Sequence, residues 1–184
     1  MKHHKQAYGF TLIEIMIVVA IIALLAAIAI PNVLRGRTTA NETSAIGNLR
    51  ALVSSAEMYR SVQNEYPSLA TWQAEMYGAN CLVATAPNPD YGPPSFCSLL
   101  TGVAGAPAAG SDIQGYRYTY TGVADPAQTY GILAIPVTQG TTGTRSFYVD
   151  QSGLVRHCQG PPVGTFVNGG AWATIDVGPT NPCT

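Results

Sequence analysis

The chain has 184 residues and a formal net charge of −1, and only 10% of its residues are charged. Both lysines lie in the first five residues; without that leader seven arginines face ten acidic residues, a net of −3 before a new terminal amine is counted. No basic field remains, which excludes a large nucleic-acid footprint. The length suits one ordinary domain plus a long helix. Low charge with much Gly, Ala, Thr and Tyr suits a surface that packs against copies of itself, and equally a small secreted protein.

Residues 1–9 form a short leader containing Lys2, His3, His4 and Lys5. Residues 10–30 are an apolar run of 21 residues, interrupted by one carboxylate, Glu14. As a helix such a run spans about 31 Å, the thickness of a bilayer core. An acid at the centre of a membrane helix costs roughly 2.5–3.5 kcal/mol on insertion scales, so Glu14 requires a partner. An ordinary signal peptide would be cut near Ala27-Ile28-Ala29, and a plain signal anchor would not be cut at all. Neither has a use for Glu14, and the amphipathic continuation beyond Pro31 also argues against cleavage near Ala29.

The string Gly9-Phe10-Thr11-Leu12-Ile13-Glu14, behind a basic leader and ahead of an apolar helix reaching Pro31, resembles the N-terminal segment of type IV pilins and type II secretion pseudopilins. The likeness extends over about residues 5–60 and is absent as a detailed motif beyond them. It implies cleavage between Gly9 and Phe10 by a prepilin peptidase, N-methylation of Phe10, and assembly into a helical filament. It also implies a role in assembly for Glu14, whose carboxylate would meet the new Phe10 amine within one chain or between neighbours. Pro31 stands where the family has a helix-breaking proline.

Residues 10–62 read as one long helix in two halves. The first is apolar all round, so it faces lipid or is buried in an assembly. Pro31 removes a backbone donor and clashes with the preceding turn, which predicts a kink or local melt. Gly36 and Gly47 weaken the helix further, by about 1 kcal/mol each relative to Ala. The alternative is a helix end at Ile30 and a new start near Thr39. In the second half Ile46, Leu49, Val53, Ala56 and Tyr59 recur at helical steps, with Leu52 and Val62 widening the stripe. That stripe is read as core, and Arg50, Ser54, Glu57 and Arg60 as the wet face.

Residues 64–112 break the pattern. Ser68 can cap a short helix through Met76. Pro87, Pro89, Pro93, Pro94 and the Gly/Ala-rich stretch 102–110 then preclude regular structure. Residues 113–158 read as an antiparallel sheet. Tyr116, Tyr118 and Tyr120 alternate with Arg117, Thr119 and Thr121 and are read as exposed strand tyrosines. Strands follow at 129–137, with Pro136 at an edge or bulge, and at 145–149 and 154–157, joined through Asp150-Gln151-Ser152-Gly153. A further strand falls near 171–177.

The four cysteines, Cys81, Cys97, Cys158 and Cys183, lie beyond the apolar run. An even count in an exported domain predicts two disulfides. Of the three pairings, Cys81–Cys97 with Cys158–Cys183 closes two local Gly/Pro-rich loops; the second, 25 residues long, would stabilise by about 3–4 kcal/mol on a loop-entropy model. Spacings of 16, 61 and 25 lack the doublets of a zinc site. The cysteines also set the topology that nearly balanced flanking charges do not: N-terminus cytoplasmic, bulk outside.

Other motifs are weak. Asn41-Glu42-Thr43 matches a glycosylation pattern but falls on a predicted helix. Asp150 and Asp176 could join a calcium loop, although no acidic ladder accompanies them; no other cofactor is expected. His157 reads as a strand-end residue. No catalytic set is present.

The sequence therefore predicts an α+β, pilin-like fold: a leader (1–9), a membrane and filament-core helix (10–31), an amphipathic helix (32–63) and a head (64–184) with loop (64–112), antiparallel sheet (113–158) and C-terminal disulfide loop (158–183). By resemblance it is a prepilin polymerised into a type IV pilus, serving adhesion, twitching motility or DNA uptake. Implied partners are copies of itself, the prepilin peptidase, an inner-membrane assembly platform with its ATPase, and the membrane before assembly; nucleic acid stays open. The precursor would sit in the inner membrane with its head periplasmic, and the product in a surface filament. Alternatives are a type II secretion pseudopilin, a minor tip pilin binding DNA or a host glycan, and a membrane-anchored enzyme.

Overall fold

The structure is a computed structural model that describes residues 10–68, 75–76, 91–93, 96, 112–122, 129–160 and 173–174. The chain divides into two units, Met1–Arg37 and Thr38–Thr184. A single helix, α1 (Leu12–Gln63), belongs to both.

In the first unit α1 is an uncovered apolar rod. Of residues 10–37 only Ala26 is other than exposed, and Leu24, Ile28 and Ile30 show about three-fifths of their surface. Among the described residues one helix, α1, is long and apolar enough to cross a membrane. Neither the local melt expected at Pro31 nor the alternative helix end at Ile30 occurs: α1 continues through Pro31 and Gly36. The Ala, Leu and Ile residues before the proline are strong or tolerated helix formers, and one missing hydrogen bond does not end so long a cooperative run.

In the second unit α1 lies on a six-stranded antiparallel sheet of order β1-β2-β3-β4-β5-β6. The strands are β1 (Asp112–Ile113), β2 (Tyr116–Gly122), β3 (Tyr130–Pro136), β4 (Arg145–Asp150), β5 (Arg156–Gln159) and β6 (Ala173–Thr174). The added strand β1 comes from a two-residue turn: Gln114 and Gly115 both take positive φ, 51° and 77°, as a primed hairpin turn requires. Pro136 ends β3 beyond its last pair with β4, Ala134 with Phe147, so its missing N–H costs that ladder nothing. β5 starts two residues later than predicted. The turn closes from Gly153 N to Asp150 O (2.9 Å), but Leu154 and Val155 then run on before pairing resumes.

The core joins Leu49, Leu52, Ala56 and Tyr59 of α1 to Tyr116, Tyr118, Tyr120, Ile132, Phe147 and Val149 of the sheet. The predicted stripe thus forms the interface, except that Val62, near the helix end, is exposed. The β2 tyrosines are buried, contrary to the surface reading. The period of two is right, but the tyrosine face points inward because each hydroxyl finds a partner there. Tyr116 donates to Arg145 O (2.8 Å), Tyr118 accepts from Asn48 Nδ2 (3.0 Å) and Tyr120 donates to Pro67 O (2.6 Å).

Segment 64–112 also supplies core. Tyr66, Met76, Tyr91 and Phe96 are buried, and Phe96 meets Tyr118 edge-on at 5.0 Å. The sheet's far face is closed as well, around Leu133, Tyr148 and Cys158. β3 is therefore buried on both faces, which accounts for its nearly unbroken apolar sequence.

Candidate assembly site at the start of the helix

Thr11 and Glu14 form a reciprocal cap at the start of α1. Glu14 N donates to Thr11 Oγ1 (3.3 Å), while Thr11 N and its hydroxyl donate to Glu14 Oε2 (2.9 and 2.8 Å). This is the capping box: the residue before the helix and the third residue inside it satisfy each other's free backbone donors. The signature Thr-x-x-Glu ahead of an apolar run is legible in the sequence, although the charge of Glu14 alone does not disclose it. The acid therefore has an answer within its own chain before any neighbour arrives.

Both contacts to the carboxylate fall on Oε2. Phe10, 84% exposed, immediately precedes the cap. A carboxylate held one turn inside the helix start lies on the side where the first-turn N–H groups concentrate positive character. An ammonium presented there would meet an acid already fixed in position. Gly9 lies outside the described residues. Pro31 is exposed on the same rod, two turns before the head begins at Thr38.

A second polar cluster, unforeseen, sits in the head. Glu42 is buried although charged. Its Oε1 accepts from Thr144 N (2.9 Å) and Thr144 Oγ1 (2.8 Å), and its Oε2 from Arg145 Nε (2.8 Å) and Nη2 (2.7 Å). Burial would raise the Glu42 carboxyl; the donors of Thr144 and Arg145 outweigh it and hold it below the usual value. Beside it Asn41 Nδ2 donates to Thr142 O (2.9 Å). The Tyr116 ring lies so close under Gly143 that an added Cβ would stand 2.1 Å from its hydroxyl. The available signal was position: Glu42 sits seven residues before Leu49, on the core stripe.

The amide of Asn41, the glycosylation candidate, is engaged by the head. Asp150 accepts from Ser152 N (2.9 Å) and from the Ser152 hydroxyl, which shapes the β4–β5 turn. Asp176 lies outside the described residues, among which no group of three His, Cys, Asp or Glu could hold a metal ion. His157 is buried inside β5 rather than at its end. Cys158 is disulfide-bonded; Cys81, Cys97 and Cys183, and with them both predicted pairings, lie outside the described residues.

Comparison with known proteins bears on the same end of the chain. Residues 4–30 match the family model of the prokaryotic N-terminal methylation motif. The chain is 50% identical over 64 residues to the type IV wide pilus major component PilA4 of Thermus thermophilus, covering 35% of this chain and 49% of that protein. It is 42% identical over 69 residues to the type IV major pilin protein PilA of Myxococcus xanthus, covering 38% and 31%. It is 32% identical over 90 residues to the type II secretion system core protein G of Vibrio cholerae, covering 49% and 58%. The chain thus spans between about a third and three-fifths of the length of these relatives. No solved structure matches it.

Proposed function

We propose that this chain, whose residues 4–30 carry a prokaryotic N-terminal methylation motif, is the precursor of a filament subunit of type IV pilus kind. The leader is removed between Gly9 and Phe10, Phe10 is N-methylated, and α1 leaves the bilayer to pack among copies of itself. The observation that carries this reading is the uncovered stem. From Phe10 to Leu34 the large apolar side chains are exposed, and no water-soluble state tolerates so continuous a surface. A bilayer covers it before assembly and other stems cover it afterwards.

In this scheme the Phe10 amine of one protomer approaches the Glu14 carboxylate of another, which the Thr11 cap already orients. The pair removes the cost of an acid in hydrocarbon and sets the axial register. Dispersion between interlocking Ile, Val and Leu side chains, repeated along the polymer, supplies the rest. The peptidase, the assembly platform with its ATPase and the periplasmic placement of the head follow from this reading. The disulfides Cys81–Cys97 and Cys158–Cys183 would then form in an oxidising compartment.

Mass spectrometry of sheared surface fibres tests it. The expected product begins at N-methylated Phe10; a product beginning near Ile30 removes the stem and the proposal with it. A second reading, a pseudopilin of type II secretion, is favoured by the likeness to the Vibrio cholerae core protein G, which covers 90 residues, 49% of this chain. A short periplasmic fibre needed for enzyme export, with no surface fibre, would select it.

A further inference from the structure

We propose that Arg35 and Arg37 form a collar on α1 that binds the phosphate groups of anionic lipids at the membrane boundary opposite Glu14. The collar holds the stem at a fixed depth until it is drawn into a fibre. This rests on the reading of α1 as a stem that occupies a bilayer before assembly.

The unbroken helix fixes where these charges stand. α1 runs without interruption through Pro31, so the regular helical rise holds from Glu14 to Arg35. The two residues are 21 positions apart, which is about 32 Å along the axis. The hydrocarbon core of a bilayer is about 30 Å thick. Between them the only polar side chain is that of Asn32. With this stretch in hydrocarbon, Glu14 and Arg35 fall at opposite edges of the core, and Arg37 about 3 Å further out. A chain that melted at Pro31 would have no such fixed spacing.

The direction of the two arginines selects the partner. Each residue of a helix turns by about 100°, so Arg35 and Arg37 leave the axis roughly 200° apart, on nearly opposite sides. Both are exposed. Gly36, between them, faces open space, for a Cβ built on it would meet nothing within 4 Å. A free phosphate ion, or one acidic side chain of a neighbouring protein, reaches one side at a time. Lipid headgroups surround a membrane helix and reach both sides together. The charge agrees: residues 15–41 carry these two cations and no acid, and the next acid, Glu42, is held by Thr144 and Arg145. So does the chemistry, because the planar guanidinium fork matches two phosphate oxygens. Its aliphatic portion lies along apolar surface while its head stays at the interface. Arg35 also interacts within the chain; a guanidinium has five N–H donors, so it serves a phosphate as well.

Solid-state NMR of the full chain, with isotope-labelled arginine, in phosphatidylglycerol vesicles tests this. Lipid phosphorus dephases the Cζ signal of an arginine whose guanidinium holds a phosphate. The expected result is two dephased signals. Arg35→Gln and Arg37→Gln should each remove one of them, the double variant both, and Arg50→Gln neither. In the wild type, methyl contacts with acyl-chain protons should end at Leu34. In the double variant the stem sinks, and those contacts should extend to Thr38. Absence of dephasing overturns the proposal, as does dephasing of a single arginine, which would mean a one-sided site. The same two signals from inorganic phosphate in neutral, phosphate-free micelles would reassign the site to the free ion. Vesicles without dephasing, with both arginines paired to acids of neighbouring copies in sheared fibres, would reassign it to a protein partner. Acyl contacts that still end at Leu34 in the double variant would refute the depth-setting role. The acyl contacts of Ile15 to Ile30 keep this test apart from the reading beneath it. Where they are present without phosphorus contacts, the collar alone fails; where they are absent, the stem is not in the bilayer and that reading fails too.

Discussion

The two halves of α1 are one helix with two fates. Before Arg37, Leu24 is 65% exposed and Ile28 63%; after Thr38, Leu49 and Leu52 are 0% exposed. Intrinsic propensity does not separate them, because Leu, Ile and Ala fill both. What differs is the distribution of polar residues. The stem is apolar on every side and has nothing in its own chain to bury against, whereas the head half confines its apolar residues to one stripe that a sheet can cover. A helix that is apolar all round waits for a solvent or for copies of itself; a striped one folds at once.

Truncation in the two halves should break this comparison most visibly. Leu49→Ala is expected to destabilise the head by ~2–5 kcal/mol, the cost of a core cavity. Leu24→Ala should change head stability by less than ~0.5 kcal/mol, while weakening fibre yield. Denaturant unfolding in micelles reads the first effect, and shearing assays the second. Equal destabilisation by both would mean that the stem is part of the head's folding unit.

The pH response of the head should come next. Burial pushes Tyr118 up to about 12, and burial with the nearby Glu75 and Glu65 charges pushes Tyr59 up to about 12. These groups are harder to ionise folded than unfolded. Their contribution is whole below pH 10, the ordinary tyrosine value, and is lost as pH rises toward 12. Glu42 acts in the opposite sense. Its carboxyl is held below 4.5, so its contribution is present above that value and disappears as pH falls through the folded pKa. Circular dichroism across both ranges checks the two limits, and Glu42→Gln should flatten the acid limb only.

A smaller effect sharpens the role of Glu14. Gln can serve at the third position of a capping box. Glu14→Gln should therefore keep the helix start, which Glu14→Ala frays, and yet assemble as poorly as Glu14→Ala. Normal fibre yield from the glutamine variant would mean that capping, not charge, is the requirement. The smallest effect is expected from Asp112→Ala. Its ion pair with Arg117 is about a third exposed on each side, so thermal unfolding should register only ~0.2–1 kcal/mol.

Much of the candidate site was legible because it is local. Thr11 and Glu14 lie three residues apart, the apolar stem is contiguous, and the core stripe repeats within two turns. The contribution of segment 64–112 to the core is not legible, for the reverse reason. Its prolines and glycines speak only of irregular backbone, yet Tyr66, Met76, Tyr91 and Phe96 are buried in the core. Irregular chain can still deliver side chains to a core, and no periodicity announces that it does.

Taken by itself, the sequence determined where α1 starts, how far its uncovered apolar surface runs, which stripe of its second half turns inward, and the alternation of β2. Each follows from groups within a turn or a strand of one another, whose geometry the backbone dictates. Only the tertiary structure decided that the β2 tyrosines face the helix, that both faces of β3 are closed, and that Glu42 meets Arg145 across 103 residues. Those outcomes depend on which distant segment arrives to supply a hydrogen-bond partner or exclude water, and a residue's immediate neighbours carry no record of that arrival.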